Sequence, residues 1–549
     1  MKIALAQLNY IIGDFDKNSE KIISLINKVK KQNVDLIVFS ELSVCGYPPL
    51  DFLENKDFIE KANLSLLKIA KACTNITAIV GAPNINTQPK GKKLYNSAFV
   101  LSEGKIIDSV NKTLLPTYDI FDEYRYFEPN TEFKNIKIQQ KKIALTICED
   151  LWDDQPVENS FAQSKLYTVS PLKELKDDFD FVINIAASPF SIAQEKVRKQ
   201  VLVDNAKKYN KTIIYVNQVA ANTELIFEGS SMVINNKGEL VHQLKKFEED
   251  LYIYDTENPN LENTIPNIDN ETELLYKALK LGLSDYFKKM GFKKAVLGLS
   301  GGIDSALVAA IAVDALGKDN VVGILMPSKF SSDHSITDAV DLAHNLGIKH
   351  HTIPIKNIVD SFDESMKDVF EGTQFGIAEE NIQARSRGVI LMAYSNKFGF
   401  ILLNTSNKSE AAVGYSTLYG DMNGGLSILG DVYKTDVFKL CHFINKEREI
   451  IPHNTIVKPP SAELRPDQKD SDSLPDYDTL DEILKLYIEK KYSLEEIIAA
   501  GFEKDIVQKT ILMVNRNEYK RFQSPPILRV SVKAFGLGRR MPLVAKYDF

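Results

Sequence analysis

Cysteine is scarce and scattered: four residues in 549, at Cys45, Cys73, Cys148 and Cys441. No two form a Cys-x-x-Cys pair, so neither a disulfide framework nor a zinc site is implied, and a reducing cytoplasm is the expected setting. Histidine is almost as rare, and of its 7 residues His242 alone falls within residues 1–255. It lies in the hairpin-like segment GELVHQL, so a nucleophile in that half has no obvious histidine partner. There is one tryptophan, Trp152. No apolar run approaches the roughly 18 residues that cross a bilayer, and Met1 leads directly into KIALAQLN, so neither a leader nor a membrane span is expected. Basic charge is not in excess either: 67 Lys and Arg against 74 Asp and Glu leave a net charge of −7, which gives no electrostatic reason for nucleic-acid binding.

What is present is a composition that buries well, 44% hydrophobic and 26% charged, in a chain long enough for two to four domains at about 150 residues each. Residues 1–255 alternate short apolar strands such as DLIVFSE, KIALTIC and DFVINIAAS with helices near 17–32 and 57–73, a pattern of sheets covered by helices. Residues 256–272 lose periodicity and gather Asn and Pro, as a linker does. From 273 to 549 the order becomes β-α-β, with helices expected over 303–316, 333–346 and 377–397, and an α/β fold with a doubly wound parallel sheet follows.

Leu297-Gly-Leu-Ser300-Gly301-Gly302-Ile-Asp304-Ser305 follows an apolar strand and opens a helix. Amides and hydroxyls at such a helix start can hold an anion, and glycines let a phosphate approach. An isolated SGG is a glycine-rich turn more often than a site, but here strand, loop, helix and flanking serines agree. The lysine of a GK[ST] loop is missing and Asp304 stands near its place, which suits Mg2+ beside a phosphate.

SGGIDS resembles the pyrophosphate loop of the N-type ATP pyrophosphatases, of the adenine nucleotide α-hydrolase-like type. MPSKFSSDHSITDA, NIQARSRG, LLNTSNKSEAAVGYSTLYGDMNGG, DVYKTDV, PPSAELRPDQKDSDSLPDYDTLDEI and KAFGLGRRMP extend the likeness to the NAD+ synthetases over nearly all of 273–549. The resemblance implies adenylation of deamido-NAD+ by ATP, followed by amidation. On matching positions it implies that Ser300, Gly301, Gly302, Asp304, Ser305 and Thr405 bind ATP and that Asp304 and Glu410 ligate Mg2+. Arg385, Asp421 and Lys434 would contact deamido-NAD+ or serve adenylyl transfer.

The stretch KIALTICEDLW, 142–152, reads as a buried strand ending in a cysteine, two acids and the tryptophan. A lone Cys after an apolar run is commonly a small core residue, and the residues alone leave that reading open. A carboxylate and an ammonium could manage a thiol's proton in place of histidine; Glu41, closing DLIVFSE, and Lys112, in NKTLLPTYDIFDE, are candidates, and either could be a solvated charge.

Together FSELSVCGYPP, NKTLLPTYDIFDEYRYF and TICEDLW resemble the three motifs of the nitrilase superfamily, specifically the glutaminase domain of glutamine-dependent NAD+ synthetases, over residues 1–255. The resemblance implies an α-β-β-α sandwich, with Glu41 as general base, Lys112 stabilising thiolate and oxyanion, and Cys148 attacking the glutamine amide. It places Tyr118, Ser188 and Arg198 in the glutamine pocket. Two segments depart from the pattern: Ser191-Ile192-Ala193-Gln194 lacks a Gly-Lys pair, and Ala220-Ala221-Asn222 stands where Gly-Gly-Gln is commoner. Glutamine selectivity is therefore the open point. The alternatives are an ammonia-dependent synthetase whose first domain cleaves another amide, and a silent adenylate-binding scaffold. The family further implies a homo-oligomer and an enclosed passage for ammonia.

Overall fold

The computed structural model describes residues 1–154, 165–176, 178–258, 270–466 and 468–546. The chain divides into two compact units, 1–269 and 270–549. Most of the expected linker, 256–272, lies outside the described residues.

Among the described residues of the first unit the strands are β1 (Lys2–Gln7), β2 (Leu36–Val38), β3 (Thr77–Ile85), β4 (Leu94–Ser102), β5 (Lys105–Asn111), β6 (Ile136–Ile138), β7 (Lys141–Ile147), β8 (Phe181–Ala186), β9 (Ile213–Asn217), β10 (Val219–Asn222), β11 (Leu225–Glu228), β12 (Met232–Ile234), β13 (Leu240–Gln243) and β14 (Asp250–Asp255). They build two six-stranded sheets, β14-β1-β2-β3-β4-β5 and β13-β12-β9-β8-β7-β6, and the small pair β10-β11. Each large sheet has a parallel centre, β1-β2-β3 in one and β7-β8-β9 in the other, flanked by antiparallel strands.

Both faces of the first sheet's parallel centre, β1-β2-β3, are buried, which is why those strands read as continuous apolar runs. In β1, Ile3 and Leu5 enter a layer shared with Leu145, Ile147 and Ile183 of the other sheet. Ala4 and Ala6 point the opposite way, to Ile22, Ile26 and Val29 of the helix Phe15–Lys30 and Leu66 and Ile69 of the helix Lys56–Ala72. The outer layer on the second sheet includes the helix Gln194–Tyr209, which has no apolar stripe to betray it: Arg198 and Asn205 are buried along with Val201 and Leu202, at the i, i+3, i+4, i+7 spacing of one face. The unit is the α-β-β-α sandwich.

In the second unit β15 (Ala295–Gly298), β16 (Val321–Leu325), β17 (Lys349–Thr352), β18 (Ile401–Asn404) and β19 (Leu426–Ser427) form one sheet in the order β17-β16-β15-β18-β19, parallel throughout. The strand order reverses between β15 and β18, the switch point beyond whose strand ends doubly wound sheets take their ligands. The helices expected over 303–316 and 333–346 have those bounds, and the third spans Ile377–Phe398. The helix Ile303–Leu316 is buried almost all round, and the helix Ile377–Phe398 packs Ile390, Leu391 and Tyr394 on Val296, Ile324 and Leu402.

Trp152 packs against the layer between the two sheets of the first unit, so its fluorescence reports on that unit specifically. Leu5→Ala, which empties a fully buried position in that layer, is expected to lower the unfolding free energy read from Trp152 in urea by about 2–5 kcal/mol.

Candidate active sites

At the carboxyl ends of the parallel strands in the first unit, three sequence-predicted residues converge. Glu41 follows β2, Lys112 follows β5 and Cys148 follows β7; all three are buried. The Lys112 ammonium lies 2.8 Å from Glu41 Oε1 and 2.8 Å from Oε1 of Glu123, a residue the sequence did not single out. Glu41 is held at both oxygens, Oε1 by Asn96 Nδ2 at 2.7 Å and Oε2 by the Ala187 amide at 2.9 Å. Tyr47 donates to Glu123 Oε1 at 2.9 Å. Gly81 makes room for this arrangement: a Cβ there would lie 2.3 Å from Leu42 N and 2.6 Å from Ser40 O, so any side chain would displace the backbone carrying Glu41.

The electrostatics follow from burying two carboxylates around one ammonium. Burial alone would depress the Lys112 pKa, but Glu123 and Glu41 outweigh it and hold it well above its ordinary value. Burial, then Glu41, pushes the Cys148 thiol well above its ordinary value against the opposing pull of Lys112. Cys148 also has φ +45°, an uncommon backbone for a side-chain-bearing residue, at the start of the 3-10 turn Cys148–Leu151.

Around this centre, Glu149 is buried and accepts hydrogen bonds at Oε1 from Tyr118 and Tyr167, each 2.8 Å. Ser188, just beyond β8, exchanges hydrogen bonds with Asn217, its amide donating to Oδ1 at 2.9 Å and its carbonyl accepting from Nδ2 at 3.2 Å. Arg198 is buried 2.6 Å from Glu228, yet its guanidinium nitrogens and both Glu228 oxygens lack an aligned hydrogen-bond partner among the described residues. Of the departing segments, Gln194 opens the helix Gln194–Tyr209, and Asn222 Nδ2 donates to Tyr47 O at 2.7 Å. His242 stands apart from the chemistry, stacked on Tyr252.

The second cluster lies at the switch point of the parallel sheet. Ser300 Oγ and Ser305 Oγ are 3.1 Å apart, and the Gly302 amide donates to Ser300 Oγ at 3.1 Å, closing a compact loop before the helix. Gly301, at φ +78°, passes so close to Ser335 that a Cβ would lie 2.2 Å from its carbonyl oxygen. After β18, Asn407 Nδ2 reaches across to Asp304 Oδ1 at 2.9 Å. Lys434 Nζ lies 2.5 Å from Asp304 Oδ2 and 3.3 Å from Glu410 Oε1. Burial, and then Asp304 and Asp470 against the pull of Lys434, push Glu410 up to about 8. Asp421 Oδ1 accepts from the Thr417 amide at 2.7 Å, and Arg385 Nε donates to Leu418 O at 3.2 Å, so both are tied to the 417–421 loop. Thr405 sits between β18 and Asn407, half-buried.

Comparison with known proteins matches each unit to a family. Residues 2–266 match the carbon-nitrogen hydrolase family and residues 275–524 the NAD synthase family. A glutamine-dependent NAD(+) synthetase of Synechocystis is 48% identical over 99% of this chain and 99% of its own. One from Thermotoga maritima is 41% identical over 100% and 99%. Among solved structures, a glutamine-dependent NAD+ synthetase of Acinetobacter baumannii in complex with ADP is 38% identical, covers 99% of this chain and 98% of that one, and superposes with a TM-score of 0.78.

Burial, more than the charge of Glu41, raises the Glu123 carboxyl from its ordinary 4.5. A raised acid binds its proton more tightly folded than unfolded, so its contribution to stability is present below the unfolded pKa and is lost as pH rises through the folded one. Subtracting the pH-stability curve of Glu123→Gln from that of the native chain, both read from Trp152, is therefore expected to give a difference that declines from about pH 4.5 toward neutrality.

Proposed function

Because this chain belongs to the glutamine-dependent NAD(+) synthetases, we infer that ammonia is released at Cys148 and consumed beside the Ser300–Ser305 loop. The enzyme is a carbon-nitrogen ligase: deamido-NAD+, ATP and glutamine become NAD+, AMP, pyrophosphate and glutamate. The observation that carries the division of labour is the buried Lys112 ammonium, held by Glu41 and Glu123 in the electrostatic field of the Cys148 thiol.

In the first unit Glu41 takes the Cys148 proton as Sγ bonds to the side-chain carbonyl carbon of glutamine. Lys112 balances the negative charge that passes from sulfur to the tetrahedral oxygen. The proton held by Glu41 goes to the departing nitrogen, the C–N bond breaks, and ammonia leaves a thioester. Glu41 then deprotonates a water that attacks the thioester, releasing glutamate and restoring the thiol. Glu149, buried among Tyr118 and Tyr167, complements the α-ammonium of glutamine, while the unaligned guanidinium of Arg198 and the Ser188 segment face its α-carboxylate.

In the second unit the Ser300–Ser305 loop and the helix behind it receive the ATP phosphates, with Thr405 beside them. The deamido-NAD+ carboxylate attacks the α-phosphorus, pyrophosphate leaves, and Lys434 offsets charge on the bridging oxygens. Ammonia adds to the adenylated carbonyl, a proton is lost, and AMP departs. Arg385 and Asp421 border the deamido-NAD+ side. Two carboxylates, Asp304 and Glu410, converge on one cationic point, the donor set Mg2+ takes when phosphates complete its shell. Bound there, Mg2+ would neutralise the departing pyrophosphate. Among the described residues no helix is long and apolar enough to cross a membrane, and a cytoplasmic homo-oligomer belongs to the same proposal.

NAD+ formation measured with glutamine or with ammonium chloride tests the assignment. Cys148→Ala is expected to lose the glutamine-supported rate by more than about a thousandfold while the ammonium-supported rate stays within about twofold. A native chain that ignores glutamine but uses ammonium would assign the first unit another amide.

The raised Glu410 carboxyl sets a second expectation. A protonated carboxyl does not ligate Mg2+, so the Mg2+ concentration giving half-maximal pyrophosphate release should fall as pH rises toward about 8 and level off above it. Glu410→Gln should raise that concentration and remove the pH dependence.

A further inference from the structure

Asp150 stands two residues beyond Cys148, 2% exposed, and among the described residues its carboxylate accepts backbone hydrogen bonds alone. Oδ1 takes the amides of Thr113 at 3.0 Å and Leu114 at 2.9 Å, the two residues that directly follow Lys112. Oδ2 takes the amide of Ile147 at 3.0 Å, the residue directly before Cys148. One carboxylate thus ties the segment carrying the ammonium to the turn carrying the thiol. That turn needs holding, because Cys148 keeps a left-handed φ of +45° that persists only where its surroundings determine it. Asn184 Nδ2 supplies a second hold, on Cys148 O at 3.3 Å.

We propose that Asp150 is a positioning residue of the glutaminase reaction, setting the separation of Lys112 and Cys148 through its bonds to Thr113, Leu114 and Ile147. It touches no reacting atom. Asparagine is nearly isosteric but tests the bridge: its oxygen can keep Thr113 and Leu114, whereas its NH2 group would meet the Ile147 amide donor to donor. The two halves of the bridge then separate, and a misplacement of about 1 Å at a reacting pair can cost on the order of 10²-fold.

The proposal rests on Cys148 being the nucleophile, a reading that fails separately if Cys148→Ala keeps its glutamine-supported rate. Asp150→Asn in the full chain is expected to lower kcat with glutamine by about 100-fold with KM within about threefold. It is also expected to slow alkylation of Cys148 by iodoacetamide about tenfold, as followed by peptide mass spectrometry. Cys45 and Cys73, fully buried in the same unit, report whether it has loosened. They should stay unlabelled, and NAD+ formation with ammonium chloride should persist. An unchanged Cys148 labelling rate, or labelling of Cys45 and Cys73 alongside it, would overturn the proposal and leave Asp150 a fold-stabilising cap. Should the asparagine variant not fold, Asp150→Glu, which keeps the charge but displaces the oxygens, is read by the same criteria.

Discussion

An ammonium ion taken out of water has to be neutralised where it lies, and this requirement organises both sites. Lys112 and Lys434 are each about as buried as a lysine can be, and each meets two carboxylates, Glu41 with Glu123 and Asp304 with Glu410. Desolvation of a charge costs several kcal/mol unless paired and hydrogen-bonded, so none of these side chains is placed independently of the others. Lys408, next to Asn407 in the chain, follows the same rule with Asp431 and Glu489.

Two acids exceed what one ammonium can neutralise, and burial raises one carboxyl of each pair, Glu123 in the first unit and Glu410 in the second. Beside Cys148, burial and then Glu41 hold the thiol above its ordinary value against the pull of Lys112. Beside the Ser300–Ser305 loop, Asp304 also accepts from Asn407. What stands beside each lysine differs, a sulfur atom in the first unit and a glycine-containing loop at a helix start in the second.

Much of this was legible in the sequence because strand ends and glycine loops leave local marks. Cys148, Glu41 and the SGGIDS loop each follow an apolar strand, and parallel sheets deliver the carboxyl ends of strands to one edge. Glu123 was not distinguishable from Asp119 or Asp122 in the same motif, because what selects it is a contact with Lys112 across a turn. Asn96 lies in β4 without any local signal, and its function depends on Glu41, 55 residues away in the chain. The helix Gln194–Tyr209 escaped notice because Arg198 and Asn205 occupy positions where periodicity demands apolar residues. The buried pairing of Arg198 with Glu228 left no local mark either.

The elevated pKa of Cys148 bears on how this protein survives between turnovers. Peroxides and other soft electrophiles consume thiolates far faster than thiols. An enzyme storing its nucleophile as a permanent thiolate would be oxidised in proportion to the time it waits for substrate. In the reaction proposed above the proton leaves sulfur when Glu41 accepts it, and Glu41 is already engaged by Lys112, Asn96 and Ala187. On that proposal, the burial that brings these groups together is also what keeps sulfur protonated, and so shielded from oxidants, while the site waits for substrate.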